Sequence, residues 1–361
     1  MTVRRSSSRV TGEHQLVTMK DVAAAAGVAQ STVSRILNDA PGRIPVSDKT
    51  RERVRAIARE LQYRPNPNAR ALRGAPTMLL GAVVRDLADP FFGPAIGALA
   101  IAAKERGYSV MLCDARAKTN EALALTAVLE ERQCDAIVLV GDMRDEPRLI
   151  EDLRRANVRV VALWYGSQRP GRPFPTVGVD NRAGVRCAMD HLTSGGHRRI
   201  AFVGAASFGD MEERRTAYEE YLASAGIVPV NGYVRHVPNT IRGSEFALSP
   251  LLRLSPRPTA ILAASDTLAI GLIHAASVRG VAVPDQLSIV GFDDIPFAAA
   301  TVPGLTSVKM PIAKIVAAAV EIAVGEVDWR SSDVEDPPRV VFQPKLIVRD
   351  STKAIAPEAY G

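Results

Sequence analysis

The spacing of apolar residues changes near Pro76 and divides the chain into two parts. Residues 18–62 repeat apolar positions at helical spacing, whereas from Met78 onwards apolar runs alternate with helix-length amphipathic stretches. The strand candidates are residues 79–84, 110–112, 137–140, 158–163, 200–203, 260–263 and 287–290. This alternation predicts parallel sheets with helices on both faces. Because about 270 residues hold more strands than one such sheet usually contains, we expect an α/β body of two doubly wound lobes.

The first part predicts an all-α head built on a helix-turn-helix. The capping box Thr18-Met19-Lys20-Asp21 starts the first helix, and Gly27 can take the positive φ of a sharp turn. Ala23 is small, and Gly27 and Val33 follow it at intervals of four and six residues. This spacing allows two helices to cross closely. A third helix over residues 50–62 completes the small core. Two ordinary packed helices are the alternative interpretation of this spacing.

Charge separates the same two parts. Residues 1–76 hold 14 Lys and Arg against 6 Asp and Glu, a net charge of +8, and the remainder holds 31 against 33, a net charge of −2. A basic module beside a nearly neutral body is typical of nucleic-acid binding, because phosphates attract Lys and Arg whatever the base sequence. On charge alone, a solvated basic tail is an equal alternative. Residues 1–17, rich in Ser and Arg, are predicted to be a disordered arm.

A helix-turn-helix places its second helix in the major groove of DNA. The outward residues predicted to meet base edges are Gln30, Ser31 and Arg35. The neighbours predicted to face phosphates are Thr32, Ser34 and Asn38.

Residues 66–74 predict a second DNA contact, a helix of about seven residues. Isolated helices shorter than about 12–15 residues are marginal in water, so this segment should be helical only when something else holds it. Leu72 lies between Arg70 and Arg73, a pattern suited to an apolar wedge in the minor groove with cationic contacts to phosphate. A plain linker with one stray leucine is the alternative.

In the predicted lobes, a ligand site is expected at the carboxyl ends of the strands. The residues that follow the strand candidates are Asp86 to Phe92, Asp114, Trp164-Tyr165, Ser265-Asp266 and Asp293-Asp294. Carboxylates accept pairs of hydrogen bonds from hydroxyl groups and aromatic faces cover sugar rings, so these residues favour a polyhydroxylated ligand. Asp114 and Asp294 have an equal alternative as loop caps.

Other classes of protein find little support. The chain has no phosphate-binding loop, dinucleotide fingerprint, nucleophile elbow or metalloprotease motif, and its five histidines have no metal-ligand spacing. Its three cysteines indicate neither a disulfide framework nor a zinc site. We therefore expect no enzyme, no cofactor and no metal. The sequence contains neither a long apolar run nor a signal-peptide pattern, so we expect a cytoplasmic protein that does not enter a membrane. If its basic head binds DNA, the protein is associated with the nucleoid.

With these features in view, the chain resembles bacterial transcription regulators of the lactose-repressor (LacI/GalR) family over residues 18–352. The resemblance is carried by the hinge segment and by Met19-Lys20-Asp21-Val22-Ala23, Thr32-Val33-Ser34-Arg35, Asp89-Pro90-Phe91-Phe92, Val283-Pro284-Asp285, Ile289-Val290-Gly291-Phe292-Asp293-Asp294, Pro303-Gly304-Leu305-Thr306-Ser307-Val308 and Leu346-Ile347-Val348-Arg349-Asp350-Ser351-Thr352.

The resemblance implies a homodimer whose two heads bind the half-sites of a near-palindromic operator, with paired hinge helices inserting Leu72 into the minor groove. It implies a body like that of periplasmic binding proteins, with a small effector, usually a sugar or another metabolite, between the lobes. By position, the residues implied to hold the effector are Asp89 and Phe91 from the N-lobe and Arg214, Asp266 and Asp293 from the C-lobe.

Several positions depart from the family pattern. Ala29 stands where a capping Ser is frequent, and residues 39–45 form a longer connection than usual. Trp164 replaces a common acidic or polar residue, and Thr240 replaces a common aromatic platform. We therefore expect the stacking surface to have moved between lobes, which adds Trp164 to the effector-binding residues. The tail has no leucine heptads, so a helical tetramer seam is not expected.

The expected domains are an arm over residues 1–17, a helix-turn-helix domain over 18–64, a hinge over 65–77, a body over 78–352 and a tail over 353–361. Within the body we expect an N-lobe of about residues 78–175 and 306–328 and a C-lobe of about 176–305 and 329–352. The predicted function is transcriptional regulation controlled by an effector, and we expect the regulator to be a repressor. A sugar-binding transport receptor without DNA binding and an enzyme with an unfamiliar site are the alternatives.

Overall fold

The computed structural model describes residues 17–37, 46–63, 76–115, 134–143, 147–155, 158–164, 173–206, 209–326 and 337–355. The chain divides into two compact units, Met1–Thr77 and Met78–Gly361, next to the predicted change at Pro76. The predicted arm, Asn38 and the hinge residues Arg70, Leu72 and Arg73 lie outside the described residues. Among the helices of the described ranges, none is both long and apolar enough to cross a membrane.

The head consists of three helices, α1 Met19–Ala26, α2 Gln30–Leu37 and α3 Asp48–Glu60. The Asp21 carboxylate accepts hydrogen bonds from the backbone N–H of Thr18 at 2.8 Å and from its hydroxyl at 2.7 Å, so the predicted capping box is present. Gly27 ends α1 with a φ of 61°, the left-handed conformation that glycine adopts without strain. These contacts confirm the predicted start and turn of the helix-turn-helix.

The head core is built from the apolar positions that the spacing predicted. Its fully buried members are Val22, Ala23, Ala26, Val33, Ile36, Val54 and Ala58. Two helices of eight residues each cannot bury enough surface alone, and α3 supplies the third wall of the core. Ala23 and Ala26 are the small members of this core on α1.

The body alternates strands and helices, as the apolar runs predicted. Its strands are β1 Leu79–Val84, β2 Ser109–Asp114, β3 Ala136–Val140, β4 Arg159–Leu163, β5 Thr176–Val179, β6 Ile200–Gly204, β7 Val234–His236, β8 Ala260–Ala263, β9 Ser288–Asp293, β10 Thr306–Lys309, β11 Arg339–Phe342 and β12 Lys345–Ile347. Its α-helices in the described residues are α4 Phe92–Glu105, α5 Pro147–Arg155, α6 Asn181–Ser194, α7 Gly209–Ser224, α8 Ile241–Leu252, α9 Asp266–Val278 and α10 Ile312–Val324.

The strands form two six-stranded sheets, one for each lobe. The N-lobe sheet has the order β11-β5-β4-β3-β1-β2 with all strands parallel. The C-lobe sheet has the order β12-β10-β9-β8-β6-β7, and only its edge strand β12 is antiparallel among the pairings described. Central strands such as β3 and β9 are buried along their whole length, since helices cover both faces.

The lobe boundaries in this topology differ from the predicted ones. The chain passes between lobes after Val179, after Lys309 and after Phe342, whereas we expected crossings near residues 175, 305 and 328. Strands β5 and β11 therefore belong to the N-lobe, and β10 belongs to the C-lobe. The physical reason is that these strands have only four residues each, and a short apolar segment does not show which sheet it will join.

Candidate functional site

The outward face of α2 carries the residues predicted to read DNA. Gln30 and Ser31 are exposed at the start of the helix, whereas Thr32, Ser34 and Arg35 are half-buried along it. Val33 and Ile36 occupy the inner face and are buried in the head core. The helix therefore has one apolar face that anchors it and one polar face that can contact a groove.

The first turn of α2 has no side-chain cap, as the alanine at the preceding position implied. Ala29 contributes its carbonyl oxygen, which accepts hydrogen bonds from the backbone N–H of Thr32 at 2.9 Å and of Val33 at 3.2 Å. A methyl group cannot accept a hydrogen bond from the first N–H groups. A phosphate oxygen is a suitable acceptor there, because a helix N-terminus favours negative charge.

In the body, two cavities lie where the carboxyl ends of the strands of both lobes meet. The outer cavity, of about 410 Å³, is lined by Arg85, Asp86 and Asp89 from the N-lobe and by residues 205–206 and 236–240 from the C-lobe. The inner chamber, of about 20 Å³, is lined by residues of both lobes. Its lining includes five of the six predicted effector residues, Asp89, Phe91, Trp164, Arg214 and Asp293.

Arg214 is the centre of the C-lobe side of the inner chamber. Only 2 % of its surface is exposed, and its Nε donates to Asn181 Oδ1 at 2.9 Å. Its Nη1 donates to the Ala264 carbonyl at 2.5 Å and lies 3.4 Å from Asp293 Oδ1, while Nη2 lies 3.6 Å from Asp210 Oδ2. These partners hold the planar guanidinium in one orientation.

Aromatic contact and charge complete this wall. The Arg214 guanidinium carbon lies 3.7 Å from the ring centroid of Phe292, a cation–π distance. Burial raises the pKa of Asp293, and the nearby Arg214 opposes that rise. Asp293 also has a φ of 117°, an uncommon conformation for a residue with a side chain. Backbone strain of this kind is frequent at ligand sites.

Asp294, for which a loop cap was the alternative to a ligand contact, forms two ion pairs within the C-lobe. Its Oδ1 lies 2.6 Å from Arg349 Nη2, and its Oδ2 lies 3.2 Å from Lys309 Nζ. These contacts tie the end of β9 to β10 and to the C-terminal segment. Asp294 lines neither the outer cavity nor the inner chamber.

The N-lobe side of the inner chamber is aromatic. The Phe91 ring lies 5.0 Å from both the Phe92 and the Trp164 rings, in edge-to-face geometry. Trp164 follows β4 with a φ of 52°, and only 6 % of its surface is exposed. Phe91, Phe92 and Trp164 thus form an aromatic cluster in the N-lobe, and its use as a stacking surface for the effector stays a prediction. Thr240 caps α8 by accepting a hydrogen bond from Gly243 N–H at 2.9 Å and lies at the outer cavity.

Direct hydrogen bonds between lobes close the cleft. Asp89 Oδ2 accepts from Asn239 Nδ2 at 2.9 Å, and Asp89 Oδ1 lies 3.4 Å from the Thr267 hydroxyl that donates to it. Asp142 Oδ2 accepts from the backbone N–H of Gly209 at 2.7 Å. We call these three hydrogen bonds the interlobe clasp. A sugar ring needs several times the volume of the inner chamber, so a ligand of that size enters only when the clasp opens.

Asp266 does not line either cavity, which corrects the prediction that it holds the effector. It is fully buried in the C-lobe, where Oδ1 accepts from the Ser307 hydroxyl at 2.5 Å and Oδ2 from Ile295 N–H at 2.8 Å. Burial raises its pKa to about 7, despite these hydrogen bonds. The first turn of α9 directs the side chain toward β9 and β10, so Asp266 braces the sheet.

Sequence reasoning missed several residues of the cleft. The cavity-lining residues that were not predicted include Arg85, Asp142, Asp210 and Asn239. Arg85 directly follows β1, and its guanidinium lies 5.5 Å from the Phe92 ring centroid. Asn239 follows β7, a strand of only three residues that the apolar runs did not reveal. Both positions obey the rule that ligand sites lie at strand ends.

Comparisons with known proteins agree with this architecture. Residues 18–66 match the family of bacterial regulatory proteins named lacI, and residues 189–352 match the periplasmic binding protein-like domain. The HTH-type transcriptional regulator DegA of Bacillus subtilis is 31% identical over 341 residues, which cover 94% of this chain and 98% of DegA.

Two solved structures are similar along nearly the whole chain. The Lac repressor dimer bound to operator and the anti-inducer ONPF has a TM-score of 0.79 and 26% identity, and the match covers 94% of this chain and 100% of that one. A complex of the transcriptional regulator CelR with cellobiose has a TM-score of 0.67 and 28% identity, covering 93% and 99%.

A helix-turn-helix head joined to a two-lobed body with an interlobe cleft defines a ligand-responsive, DNA-binding transcriptional regulator. The head, the body and the full-length relatives lead to one assignment: the chain belongs to the lacI family of bacterial regulatory proteins. The predicted family and fold class are therefore confirmed.

Proposed function

We propose that this regulator is a homodimer that binds a near-palindromic operator and represses transcription from it. Two copies of the head supply two recognition helices, and two-fold symmetry in the protein suits a palindrome in the DNA. The proposal is supported by the polar outer face of α2 and by the similarity to a repressor dimer on its operator. A regulator of this kind acts in the cytoplasm, on the nucleoid DNA, and needs no catalytic group.

In this proposal each predicted head residue has a distinct role. Gln30, Ser31 and Arg35 contact base edges, whereas Thr32 and Ser34, with Asn38 beyond the end of α2, contact phosphates. Substitution of a base-reading residue relaxes sequence preference, whereas substitution of a phosphate contact weakens binding to all sequences alike. Fluorescence anisotropy with a selected operator and its single-base variants separates the two outcomes for Arg35→Ala and Thr32→Ala.

The hinge is the third part of the proposed DNA interface. Leu72 enters the minor groove at the operator centre, while Arg70 and Arg73 contact flanking phosphates. Leu72→Ala should weaken specific binding at least about tenfold, a loss of roughly 1.4 kcal/mol, and leave nonspecific binding nearly unchanged. Equal operator affinity of Leu72→Ala and the unmodified protein would refute the wedge.

The effector, in this proposal, is a neutral polyhydroxylated molecule such as a sugar, held between the lobes. The observation that carries it is the convergence of Asp89, Phe91, Trp164, Arg214 and Asp293 from both lobes on the inner chamber. Carboxylates and a guanidinium bind hydroxyl groups in pairs, and the aromatic rings cover the apolar face of a sugar.

A thermal-shift screen over neutral sugars tests this assignment, because a ligand that binds only the folded protein raises its Tm. Asp293→Asn should abolish the shift while Asp285→Asn, an exposed carboxylate paired with Lys353, should preserve it. A sugar that stabilises both variants equally would place its site elsewhere.

A further inference from the structure

The two lobes are joined covalently by three crossovers of the chain, which are Asp180, residues 310–311 and residues 343–344. Hydrogen bonds connect the first crossover to the third. The backbone N–H of Asp180 donates to the Phe342 carbonyl at 2.9 Å, and Gln343 Nε2 donates to Asp180 Oδ2 at 3.4 Å. These two crossovers therefore lie side by side.

The second crossover contacts the C-lobe side of the inner chamber. It leads from β10 to α10 through Met310, of which only 2 % is exposed. The backbone N–H of Met310 donates to the Asp293 carbonyl at 3.4 Å, and its Sδ lies 4.0 Å from Arg214 Nη2. Asp293 and Arg214 both line the inner chamber. A displacement of this wall therefore acts directly on the second crossover.

Asn181 links Arg214 to the first crossover. It is the first residue of α6, directly after Asp180, and it is buried. Its Oδ1 accepts from Arg214 Nε at 2.9 Å, and its Nδ2 donates to Glu213 Oε2 at 2.8 Å. Because a guanidinium only donates and a carboxylate only accepts, these two neighbours on α7 fix the orientation of the amide. Asn181 lines neither the outer cavity nor the inner chamber, so its place is behind the chamber wall.

Arg214 is thus the common partner of the inner chamber and of two crossovers. Its guanidinium lines the chamber, its Nε bonds Asn181, and its Nη2 contacts Met310. A change in the angle between the lobes requires backbone rotation at the crossovers, because they are the covalent links. A ligand that holds Arg214 in one position therefore favours the crossover conformations that are compatible with that position.

We propose that Asn181 is a positioning residue that transmits the ligand-bound position of Arg214 to the crossovers, and that the three crossovers respond as one unit. This inference rests on the proposed effector site and concerns the path from that site to the angle between the lobes. Loss of the Asn181 amide uncouples the response from ligand binding. Binding itself stays nearly intact, because the Ala264 carbonyl and the Phe292 ring still orient Arg214.

A purely structural role is the alternative, since Asn181 also joins α6 to α7. The next residue supplies a matched control for that role. Arg182 joins the same two helices through an ion pair with Glu220, and both side chains are half-exposed. Neither Arg182 nor Glu220 lines the outer cavity or the inner chamber. Arg182→Ala therefore removes a contact between the two helices without removing a partner of Arg214.

The first test uses the full chain without ligand and measures amide hydrogen exchange by mass spectrometry. In Asn181→Ala we expect exchange at least about threefold faster in segments 307–313 and 340–346, which contain the second and third crossovers. Arg182→Ala should change exchange only in α6 and α7. Faster exchange confined to α6 and α7 in Asn181→Ala as well would overturn the proposal, because Asn181 would then only join the two helices.

The second test measures the coupling between ligand and DNA. Thermal shift with D-glucose, D-galactose, D-ribose, D-xylose and cellobiose identifies a sugar that binds. Fluorescence anisotropy then gives the Kd of an operator selected from random-sequence DNA, with and without that sugar at saturation. We expect the 5–150-fold change of the unmodified protein to persist in Arg182→Ala and to fall below about threefold in Asn181→Ala. The sugar Kd should change by less than about fivefold in both variants.

Glu213→Ala is the second variant and replaces Asn181→Ala if that protein does not fold. It removes the acceptor that orients the Asn181 amide and leaves the bond from Arg214 to that amide possible. We expect both readouts to move in the same direction as in Asn181→Ala, but by a smaller factor.

The ratio of operator Kd values separates the two roles of Asn181. A merely structural contact changes the Tm but leaves this ratio as it is in the unmodified protein. An unchanged ratio in both Asn181→Ala and Glu213→Ala would therefore refute the proposal. If no sugar of the panel raises the Tm of the unmodified protein, the sugar-effector assignment fails. The exchange test then still decides whether Asn181 ties the crossovers into one unit.

Discussion

The two lobes carry sheets of equal size but present different chemistry to the cleft. On the C-lobe side, Arg214 and Asp293 are held in a network of buried hydrogen bonds and ion pairs. On the N-lobe side, Phe91, Phe92 and Trp164 form an aromatic cluster, and the Trp164 indole N–H has no partner among the described residues. The polar groups of the C-lobe side are therefore positioned before a ligand binds, whereas a ligand can supply a hydrogen-bond partner to the Trp164 indole on the N-lobe side.

This contrast explains how one cleft can bind a ligand and also change between open and closed states in response to it. A preorganised wall lowers the entropy lost when a ligand is positioned, because its side chains are already ordered. A wall whose polar groups lack hydrogen-bond partners is stabilised only when the ligand binds and the lobes close. The difference in free energy between open and closed cleft then depends on the ligand, which is the requirement for a population shift.

The largest effect is expected from breaking the C-lobe network. Arg214→Ala leaves Asp293 and Asn181 buried without their cationic partner and should destabilise the body by about 3–5 kcal/mol. Urea unfolding followed by circular dichroism measures this loss. Arg215→Ala, on the next position of α7 and paired with Glu219 at the surface, should stay within about 0.5 kcal/mol. Equal stability of the two variants would show that the network is dispensable.

The second effect is a pH dependence of stability that tests the structural role of Asp266 in the C-lobe. Its pKa is raised from 3.8 to about 7, so the folded protein holds the proton more tightly than the unfolded chain. Its contribution to stability is complete below pH 4 and is lost as the pH rises to about 7. Asp266→Asn cannot ionise, so its stability relative to the unmodified protein should increase over this range.

Chemical unfolding at pH 5 and pH 7.5 checks that difference. The raised pKa of Asp89 acts in the same direction in both proteins and cancels in the comparison. The charge of Asp266 contributes to the raised pKa of Asp293, so Asp266→Asn also lowers the pKa of Asp293. A constant stability difference between Asp266→Asn and the unmodified protein at the two pH values would contradict the assignment.

The smallest effect concerns the interlobe clasp. Asn239→Ala removes the hydrogen bond to Asp89, worth about 1 kcal/mol, and should increase the population of the open cleft. The chain has two tryptophans, so Trp329→Phe leaves Trp164 as the single fluorescent indole. In that background, acrylamide should quench Trp164 more strongly after Asn239→Ala. Thr240→Ala, at the neighbouring position, should change quenching less, and unchanged quenching in Asn239→Ala would exclude the clasp.

The head could be predicted from sequence because its determinants are local. The capping box at Thr18, the turn at Gly27 and the inward Val33 each depend on neighbours within one or two helical turns. The alternation of strands and helices in the body is local in the same sense. Short strands such as β5 and β10 were assigned to the wrong lobe because pairing depends on distant segments.

The cleft was predictable in position but only partly in detail. The rule that ligands lie at strand ends identified Asp89, Phe91, Trp164 and Asp293 as residues of one site, and the structure brings them together. The same rule misassigned Asp266, because its partner Ser307 lies 41 residues away on β10. The place of Asp210 in the inner chamber was not predictable, since Asp210 and Trp164 line one chamber only through the packing of two lobes.

The central claim is that a ligand between the lobes controls the affinity of the head for DNA. Fluorescence anisotropy of a labelled operator, with and without a sugar that raises the Tm, measures this coupling directly. We expect a 5–150-fold change in operator Kd, corresponding to about 1–3 kcal/mol, and the loss of this change in Asp293→Asn. An operator Kd that stays constant at saturating sugar would contradict it.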